Sequence, residues 1–413
     1  MASLKEMRSS NRILLLQTLR LVGEADRATL ARMTGVSRVT VSGLLGEAIA
    51  RGHVVESRAR GAAPAGRRGR PAMLRLDPRA GVVVGVDLGH SHVGVVLADL
   101  EATVVGERRV VFDVDAAPDA ALGVAVGLVD ELVQSLGIDS GRLIGVGLGV
   151  PRPVVRGTGT SPSRPVPLAW AGASPGEELS RRLGLPVRVE NDANVGALGE
   201  LFRGAARGAR DVVYLKLSTG VGAGLLLDGS LYTGCRGIAG DLGHVTVVQN
   251  GHICGCGNRG CLETVASAGA LARALAPIHG DRLTLSRLLE LVDRDDPVAE
   301  RGMRDIGRHV GRALAPLCMA LDVELVVLGG ELGATSRRLL ASVRTELRKT
   351  DVAREPVTVR RALLGDRAEA LGAVVLALGQ EEWLHQAGLI ALNGAAEPAA
   401  GLQSSSERRA ATG

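Results

Sequence analysis

Apolar positions in the first eighty residues recur at helical spacing and are interrupted by turn signals. A first helix is predicted from the apolar positions Ile13, Leu16, Leu19 and Val22. A second, short helix is predicted from Asp26 to Met33 and a third from Ser37 to about Ala50, because Asp and Ser are favourable helix caps. Gly35 supplies the tight turn between them. This spacing predicts a helix-turn-helix; an ordinary three-helix packing unit is the alternative.

Two alternating segments after the third helix predict a two-stranded wing. Residues 53–57 form one predicted strand and residues 73–76 its partner. The segment between them, 58–71, is too rich in Gly, Ala and Arg to pack. Residues 1–80 are therefore predicted to form a winged helix-turn-helix with a basic wing or linker over 58–71.

From residue 81 onward, apolar strands and helices follow one another as in an α/β protein. Strands are predicted over 81–89, 93–98, 102–112, 142–151 and 185–190, and helices over 115–136, 175–184 and 191–202. Glycine turns follow strands again at 217–224 and 325–330. This order predicts two lobes around a cleft. Lobe 1 covers 81–190 and is completed by a C-terminal helix near 370–390, lobe 2 covers 191–370, and the Ala/Ser/Gly-rich tail 393–413 is predicted to be disordered.

Charge is distributed unevenly between these regions. Residues 1–80 carry fifteen Lys and Arg against six Asp and Glu, a formal net charge of +9, whereas the rest of the chain carries 34 against 38. A basic head on a slightly acidic body indicates a module that binds a polyanion such as DNA. No apolar run of about twenty residues and no signal-peptide pattern occurs, so a soluble, cytoplasmic protein without a membrane partner is predicted.

The predicted DNA-binding residues lie at two places in the head. The third helix opens with Ser37, Arg38 and Thr40, which suit the end of a helix that enters a major groove. Three arginines of the basic segment are Arg67, Arg68 and Arg70. The Arg-Gly-Arg-Pro sequence there resembles an AT-hook, which lies along an A·T minor groove. A solvated linker that touches phosphates only is the alternative.

A cysteine cluster predicts a metal site within the loop 241–263. Cys254, Cys256 and Cys261 form a Cys-x-Cys-x4-Cys pattern interleaved with glycines, and His244 lies ten residues upstream. Three thiolates and one imidazole complete a tetrahedral zinc shell. Because protein atoms fill all four positions, the zinc is predicted to be structural. Ordinary reduced thiols are the alternative reading, and His252 could replace His244 as the fourth ligand.

Taken in order, the glycine turns and the motif Asn191-Asp192 describe a two-lobed phosphotransfer fold. Together with the His-x9-Cys-x-Cys-x4-Cys-x-Glu signature they resemble the ROK family of sugar-responsive repressors and sugar kinases, over roughly residues 10–390. The N-terminal winged helix is similar to that of the repressor branch. The resemblance implies an actin-like, ribonuclease-H-like pair of α/β lobes with a structural zinc loop behind a winged helix-turn-helix.

The resemblance also implies roles for individual residues. Asp192 matches the general base that deprotonates a sugar hydroxyl in the kinases of the family. The implied sugar ligands are Asn191, Asp192, Asp241, His244 and Glu263. The residues implied for the phosphates of ATP are Asp87, Gly89, Ser91, Thr219, Gly220, Gly222, Gly329 and Gly330.

Three positions depart from the family pattern. Asp241 replaces a glutamate and is one methylene shorter, Arg152 replaces the glycine of Pro-Gly-Pro, and His90 puts a side chain where the kinases have glycine.

The sequence therefore predicts a transcriptional regulator, most simply a repressor. It is expected to bind a DNA operator as a homodimer or homotetramer under control of a sugar or sugar phosphate. The alternative is a glucokinase-like enzyme that requires ATP and Mg²⁺.

Overall fold

The computed structural model of the chain describes residues 4–57, 72–155, 160, 174–350 and 356–379. The basic segment 58–71 and the tail 393–413 lie outside these residues. The chain divides into two compact units, of which the second begins at Pro78. Among the described helices, none combines the length and the apolar character needed to cross a bilayer.

The first unit contains three helices and a two-stranded antiparallel sheet. These are α1 (Leu4–Val22), α2 (Arg27–Thr34), α3 (Arg38–Ala50), β1 (Val54–Ser57) and β2 (Met73–Leu76). The Asp26 carboxylate caps α2 by accepting a hydrogen bond from Thr29 N at 2.7 Å, and Ser37 Oγ caps α3 by accepting one from Thr40 N at 3.2 Å. Gly35 between the two helices has a φ of +72°, which favours glycine. These caps fix where α2 and α3 begin.

The first lobe of the second unit is a five-stranded mixed sheet with helices. Its elements are β3 (Val82–Gly89), β4 (His92–Asp99), β5 (Val104–Val111), α4 (Pro118–Ser135), β6 (Leu143–Val150), α5 (Pro175–Leu183) and β7 (Val187–Asn191). The strand order is β5-β4-β3-β6-β7. The central strand, β3, pairs antiparallel with β4 and parallel with β6. Every residue of β3 is buried, which explains its unbroken apolar sequence.

The second lobe repeats this strand order. Its elements are α6 (Asp192–Arg203), β8 (Val212–Leu217), β9 (Val221–Leu227), β10 (Ser230–Leu231), α7 (Glu263–Ala266), α8 (Ala268–His279), α9 (Leu285–Asp293), α10 (Pro297–Leu321), β11 (Leu325–Gly329), α11 (Gly330–Thr335), α12 (Arg337–Thr350) and β12 (Thr358–Arg361). The last helix, α13 (Ala368–Leu378), packs against the sheet of the first lobe. The sheet order is β10-β9-β8-β11-β12, with β8 antiparallel to β9 and parallel to β11. Each lobe thus has a central strand, β3 or β8, that ends in a tight turn into its antiparallel neighbour.

Helices α6 and α13 join the lobes through backbone contacts that only glycine permits. A Cβ atom at Gly372 on α13 would lie 1.6 Å from the carbonyl oxygen of Val195 on α6. A Cβ atom at Gly147 on β6 would lie 1.9 Å from the carbonyl oxygen of Ala373, and one at Gly224 on β9 would lie 2.7 Å from that of Ala193. Helix α13 therefore packs on the sheet of the first lobe, α6 packs on the sheet of the second, and the two helices pack on each other.

Candidate functional site

A cleft of about 790 Å³ lies where the turns of the two sheets face each other. All five residues predicted to bind sugar line it: Asn191, Asp192, Asp241, His244 and Glu263. The residues predicted for phosphate binding fall into two groups, of which only one lines the cleft. The same cleft is lined by Gly89, Ser91, Thr219, Gly220 and Gly222, whereas Asp87, Gly329 and Gly330 are not among the lining residues.

The start of helix α6 forms one wall of the cleft. Asn191 caps the helix, because its Oδ1 accepts hydrogen bonds from Ala193 N at 3.0 Å and Asn194 N at 3.4 Å. Its Nδ2 donates to the carbonyl oxygen of Arg152 at 3.2 Å. Asp192 Oδ1 accepts from Ala193 N at 2.8 Å. The capping geometry thus orients both polar side chains before any ligand binds.

A buried ion cluster lies behind Asp192. Lys216 Nζ donates to Asp192 Oδ2 at 2.9 Å and lies 3.2 Å from Glu369 Oε1, which also accepts a hydrogen bond from the Tyr214 hydroxyl. Burial opposes the charge of Lys216, but the carboxylates of Asp192 and Glu369 raise its pKa well above the usual range. Burial raises the pKa of Glu369. Asp192 and Glu369 together keep the buried Lys216 charged.

Lys216 was missed by sequence reasoning, although a signal for it exists. The chain contains few lysines, and this one stands inside Val-Val-Tyr-Leu-Lys-Leu, a strand in which every residue is buried. A lysine in a fully buried strand requires a charged partner. The sequence shows that a partner must exist, but not that the partner is Asp192.

A histidine covers the first glycine turn. His92 Nε2 is hydrogen bonded to Asp87 Oδ2 at 2.7 Å, and both residues are buried. A Cβ atom at Gly89 would lie 2.0 Å from His92 Cε1, so the imidazole ring packs directly over this glycine. Burial opposes ionisation of Asp87, but His92 and Lys216 hold its pKa below the ordinary value. His92, which the sequence analysis did not single out, therefore fills the space above the turn.

His90, which stands where the kinases of the family have glycine, lies in this turn and lines the cleft. Its Nδ1 is hydrogen bonded to Asp115 Oδ2 at 2.7 Å, and its Nε2 lies 3.2 Å from the position that a Cβ at Gly220 would take. Arg152 donates to the other oxygen of Asp115 at 2.5 Å. Burial opposes ionisation of Asp115, but hydrogen bonds from His90 and Arg152 lower its pKa. One carboxylate thus fixes both residues that depart from the family pattern in this part of the cleft.

The predicted metal ligands come together in space. The ligand atoms of His244, Cys254, Cys256 and Cys261 all lie within 4.8 Å of one another, and His252 is not in this group. Cys254 Sγ lies 3.5 Å from His244 Nδ1, and Cys256 Sγ lies 3.7 Å from Cys261 Sγ. Tetrahedral zinc requires S···N and S···S separations of about 3.5 and 3.8 Å, given its usual bond lengths. The donor set therefore fits a metal such as zinc.

Burial in this loop disfavours free thiolates. It raises the pKa of the Cys254 thiol and, together with hydrogen bonds from Cys256 and Cys254, raises that of Cys261 to about 12. A metal cation bound by the group would favour the thiolate forms and so offset this cost. The backbone fold is tight as well, since a Cβ atom at Gly260 would lie 1.7 Å from the carbonyl oxygen of Val248.

The metal-binding loop also forms the second wall of the cleft. His244 Nδ1 faces the cysteines, whereas its Nε2 lies 4.0 Å from Asp241 Oδ1. Glu263, two residues after Cys261, accepts a hydrogen bond from Val221 N at 3.2 Å. Partial burial, together with the nearby charge of Glu263, raises the pKa of Asp241. The loop thus places two carboxylates and an imidazole opposite Asn191 and Asp192.

Comparison with known proteins identifies the family. Residues 83–380 match the ROK family. This chain belongs to the ROK family. It is 26% identical over 387 residues to the xylose repressor of Caldicellulosiruptor bescii, and the alignment covers 90% of this chain and 96% of that protein. It is 30% identical over 319 residues to a glucokinase of Streptomyces coelicolor, and the alignment covers 72% of this chain and 98% of that protein.

A solved structure extends the likeness of the fold to most of the chain. A ROK family transcriptional regulator, described as a homolog of the E. coli MLC protein, superposes with a TM-score of 0.73. The match covers 93% of this chain and 98% of the other, at 22% identity, and so concerns the fold. The predicted resemblance to the ROK family is confirmed, as is its mixed α/β fold.

The predicted DNA-contacting residues of this ROK protein lie at the start of α3. Ser37 and Arg38 are exposed and Thr40 is partly exposed. Ser37 Oγ and Thr40 Oγ1 lie 2.8 Å apart, so the Ser37 hydroxyl is engaged in capping the helix. Val39 between them is 84% exposed, an apolar group that sequence reasoning did not select. The remaining predicted residues, Arg67, Arg68 and Arg70, lie outside the part of the chain that the structure describes.

Proposed function

We propose that this ROK protein is a DNA-binding transcriptional regulator of carbohydrate metabolism, most simply a repressor, whose operator affinity depends on a sugar bound in the cleft. One observation carries the proposal: the chain aligns with 96% of a xylose repressor over 90% of its own length. The glucokinase of Streptomyces coelicolor aligns over 98% of its own length but covers 72% of this chain. The remaining part of this chain therefore has no counterpart in that glucokinase. An additional N-terminal unit is what a regulator needs and a kinase does not.

The first unit is the proposed winged helix-turn-helix, which extends to about residue 80. Helix α3 would enter the major groove with Arg38 and Thr40 against base edges and Ser37 at its cap. Arg67, Arg68 and Arg70 would contact phosphates or the minor groove. The positive formal charge of this region supports the assignment, since phosphate contacts supply most of the affinity for DNA.

The cleft of the second unit is the proposed sugar site. Carboxylate, amide and imidazole groups on both walls suit the hydroxyl groups of a sugar, which both donate and accept hydrogen bonds. Zinc on His244 and the three cysteines would hold the loop that carries Asp241 and Glu263. A ligand that contacts both walls favours a closed arrangement of the lobes and so shifts the population of states. In a cytoplasmic homodimer or homotetramer, this shift would change the affinity for a palindromic operator.

The alternative function is an ATP-dependent sugar kinase. It is favoured by Asp192 beside the glycine turn 218–222 and by Asp87 Oδ1, which is buried without a hydrogen-bond partner among the described residues. ATP with Mg²⁺ would be held by the glycine turns and Asp87. The contact between His92 and Asp87 Oδ2 and the packing of His92 over Gly89 count against it, because phosphates must approach the backbone closely there.

Two measurements on the full-length protein test the proposal. A gel-shift titration with DNA fragments from its own promoter region should show retention at moderate salt, and the binding curve should move when a sugar is added. A coupled assay with ATP, Mg²⁺ and a hexose panel tests the alternative, with Asp192→Asn as the control. Failure of every promoter fragment to be retained would contradict the regulator. Turnover abolished by Asp192→Asn would establish the kinase.

A further inference from the structure

We propose that Lys216 makes the cleft a binding site rather than a catalytic one, because it holds Asp192 as a fixed, ion-paired acceptor for a sugar hydroxyl. This inference rests on the proposed sugar-responsive function and concerns how the same site treats its sugar. Lys216 lines the cleft, is 8% exposed and donates to Asp192 Oδ2 at 2.9 Å. It is therefore a positioning residue that acts on the ligand through Asp192.

The sheet fixes the position of Lys216. It lies on β8, the middle strand of the second lobe, and is paired on one side with Gly222 and on the other with Gly329. Neither neighbour has a side chain, so the lysine chain can extend between them toward the start of α6. Asp192 opens α6 and Glu369 lies in the first turn of α13, so the ammonium group bridges the two helices that join the lobes.

The hydrogen bonds of Asp192 suit binding better than proton transfer. A general base must take a proton from the sugar hydroxyl as that oxygen attacks phosphorus. Oδ2 already accepts from the Lys216 ammonium and Oδ1 from Ala193 N, and a proton on Asp192 would deprive the buried ammonium of the charge of its nearer carboxylate. A carboxylate offers about four lone-pair sites, however, and two of them remain for hydroxyl donors. Asp192 can thus accept a hydrogen bond from a sugar hydroxyl while it keeps its contacts with Lys216 and Ala193 N.

The first glycine turn, which is predicted to bind phosphate, also has a carboxylate that is hydrogen bonded to a basic side chain. Asp87, at the end of the equivalent central strand β3, is hydrogen bonded to His92, whose ring packs over Gly89. Each lobe therefore has a carboxylate near its central strand that is paired with a basic side chain of the same lobe, Asp87 with His92 and Asp192 with Lys216. These contacts match a site that retains sugar recognition without transferring a phosphoryl group.

A double-mutant cycle separates this role from a purely structural one. Binding of D-xylose and D-glucose to the full-length protein is measured by calorimetry for wild type, Lys216→Met, Asp192→Asn and the double variant. Each single change should weaken binding at least tenfold, and Lys216→Met should have no further effect once Asp192 is Asn. The double variant removes one charge of each sign and so keeps the net charge of the buried cluster. Equal weakening by Lys216→Met in both backgrounds would overturn the proposal.

Two further measurements keep the inference testable if Lys216→Met does not fold. Glu369→Gln removes the other partner of Lys216, and it should leave sugar affinity within about threefold of wild type because the Asp192 pair persists. The wild-type protein should bind sugar without phosphorylating it in the presence of ATP and Mg²⁺. Turnover by wild type that Asp192→Asn abolishes would overturn the inference. If neither sugar binds, both the inference and the proposed sugar response are contradicted. If the effects of the two substitutions are additive in the cycle, only the inference is contradicted.

Discussion

At the scale of single residues, the polar groups of the cleft are held by partners from the same chain. Asp115 fixes both His90 and Arg152, Lys216 fixes Asp192, and helix capping fixes Asn191. Side chains that are already hydrogen bonded lose less conformational entropy when a ligand arrives. The cleft is therefore organised before it binds.

The metal ligands give the first prediction at this scale. Cys256→Ser should release most of the bound zinc and abolish the response to sugar, because a serine hydroxyl is a poor replacement for a thiolate ligand and the loop that carries Glu263 loses its anchor. The measurement is metal analysis of the purified protein, followed by sugar calorimetry. Cys235→Ser is the matched control, since Cys235 is exposed and outside the group. Zinc retained in Cys256→Ser would contradict the ligand assignment.

At the scale of elements, the pairing of α6 with α13 decides how the two lobes are joined. Gly199 on α6 and Gly372 on α13 face the backbone of the opposite helix, and Cβ atoms there would lie 2.2 Å from the Ala368 oxygen and 1.6 Å from the Val195 oxygen. Backbone atoms at such distances cannot move aside as a flexible side chain can. The helices approach this closely only because these positions are glycine.

Gly372→Ala tests this contact. The added methyl group should destabilise the protein by about 1–3 kcal/mol or more, because it forces the two helices apart. Gly127→Ala on α4 is the control: no atom beyond the neighbouring residues and the nearby backbone of its own helix lies within 4 Å of its Cβ position, and alanine should there raise stability by up to about 1 kcal/mol. Urea denaturation measures both. Equal midpoints for the two variants would argue against the close contact.

Helix α3 carries the second prediction at this scale. Arg38→Ala should weaken binding to a retained promoter fragment about tenfold or more, since an arginine contact to a base edge is worth about 1–3 kcal/mol. Fluorescence anisotropy with labelled DNA at two salt concentrations measures the loss. Arg287→Ala, on the exposed surface of α9 in the second unit, should leave the affinity unchanged. A similar loss from both variants would indicate nonspecific charge attraction instead of a contact by α3.

At the scale of the whole molecule, the chain divides its proposed tasks between two compact units. The charged residues predicted for DNA lie in the first unit, and the cleft with its metal-binding loop lies in the second. A sugar that binds only the folded second unit stabilises that unit by mass action. The stabilisation reaches about 2.7 kcal/mol at a ligand concentration of 100 Kd.

Hydrogen exchange tests this division. In the absence of DNA, a saturating sugar should slow exchange in α6, β8 and the loop 241–263, because these segments line the cleft. Exchange in α1 should change little, since its residues belong to the other unit. Mass spectrometry of peptic peptides measures both regions in one experiment. Greater protection of α1 than of α6 would place the sugar outside the proposed cleft.

Several features were readable from the sequence because they depend on neighbours along the chain. Asp26 and Ser37 cap the helices that follow them by accepting a hydrogen bond from the N–H group three residues later, and Asn191 caps the helix that follows it. The cysteines and His244 lie within one short loop, so their spacing alone restricts the geometry around a metal. The sequence also carried the motifs by which the chain is recognised as a ROK protein.

Other features were decided only when distant strands and helices came together. The two-residue hairpin turns the His90 side chain toward Asp115 and brings His92, which the sequence analysis did not single out, over Gly89. Lys216 meets Glu369, more than a hundred residues later, only because α6 packs on the sheet of which β8 is the central strand and α13 packs on α6. Local signals determine where helices, turns and a metal loop form. The partner of a buried charge depends on which elements pack together, so only the tertiary structure could assign Lys216 to Asp192.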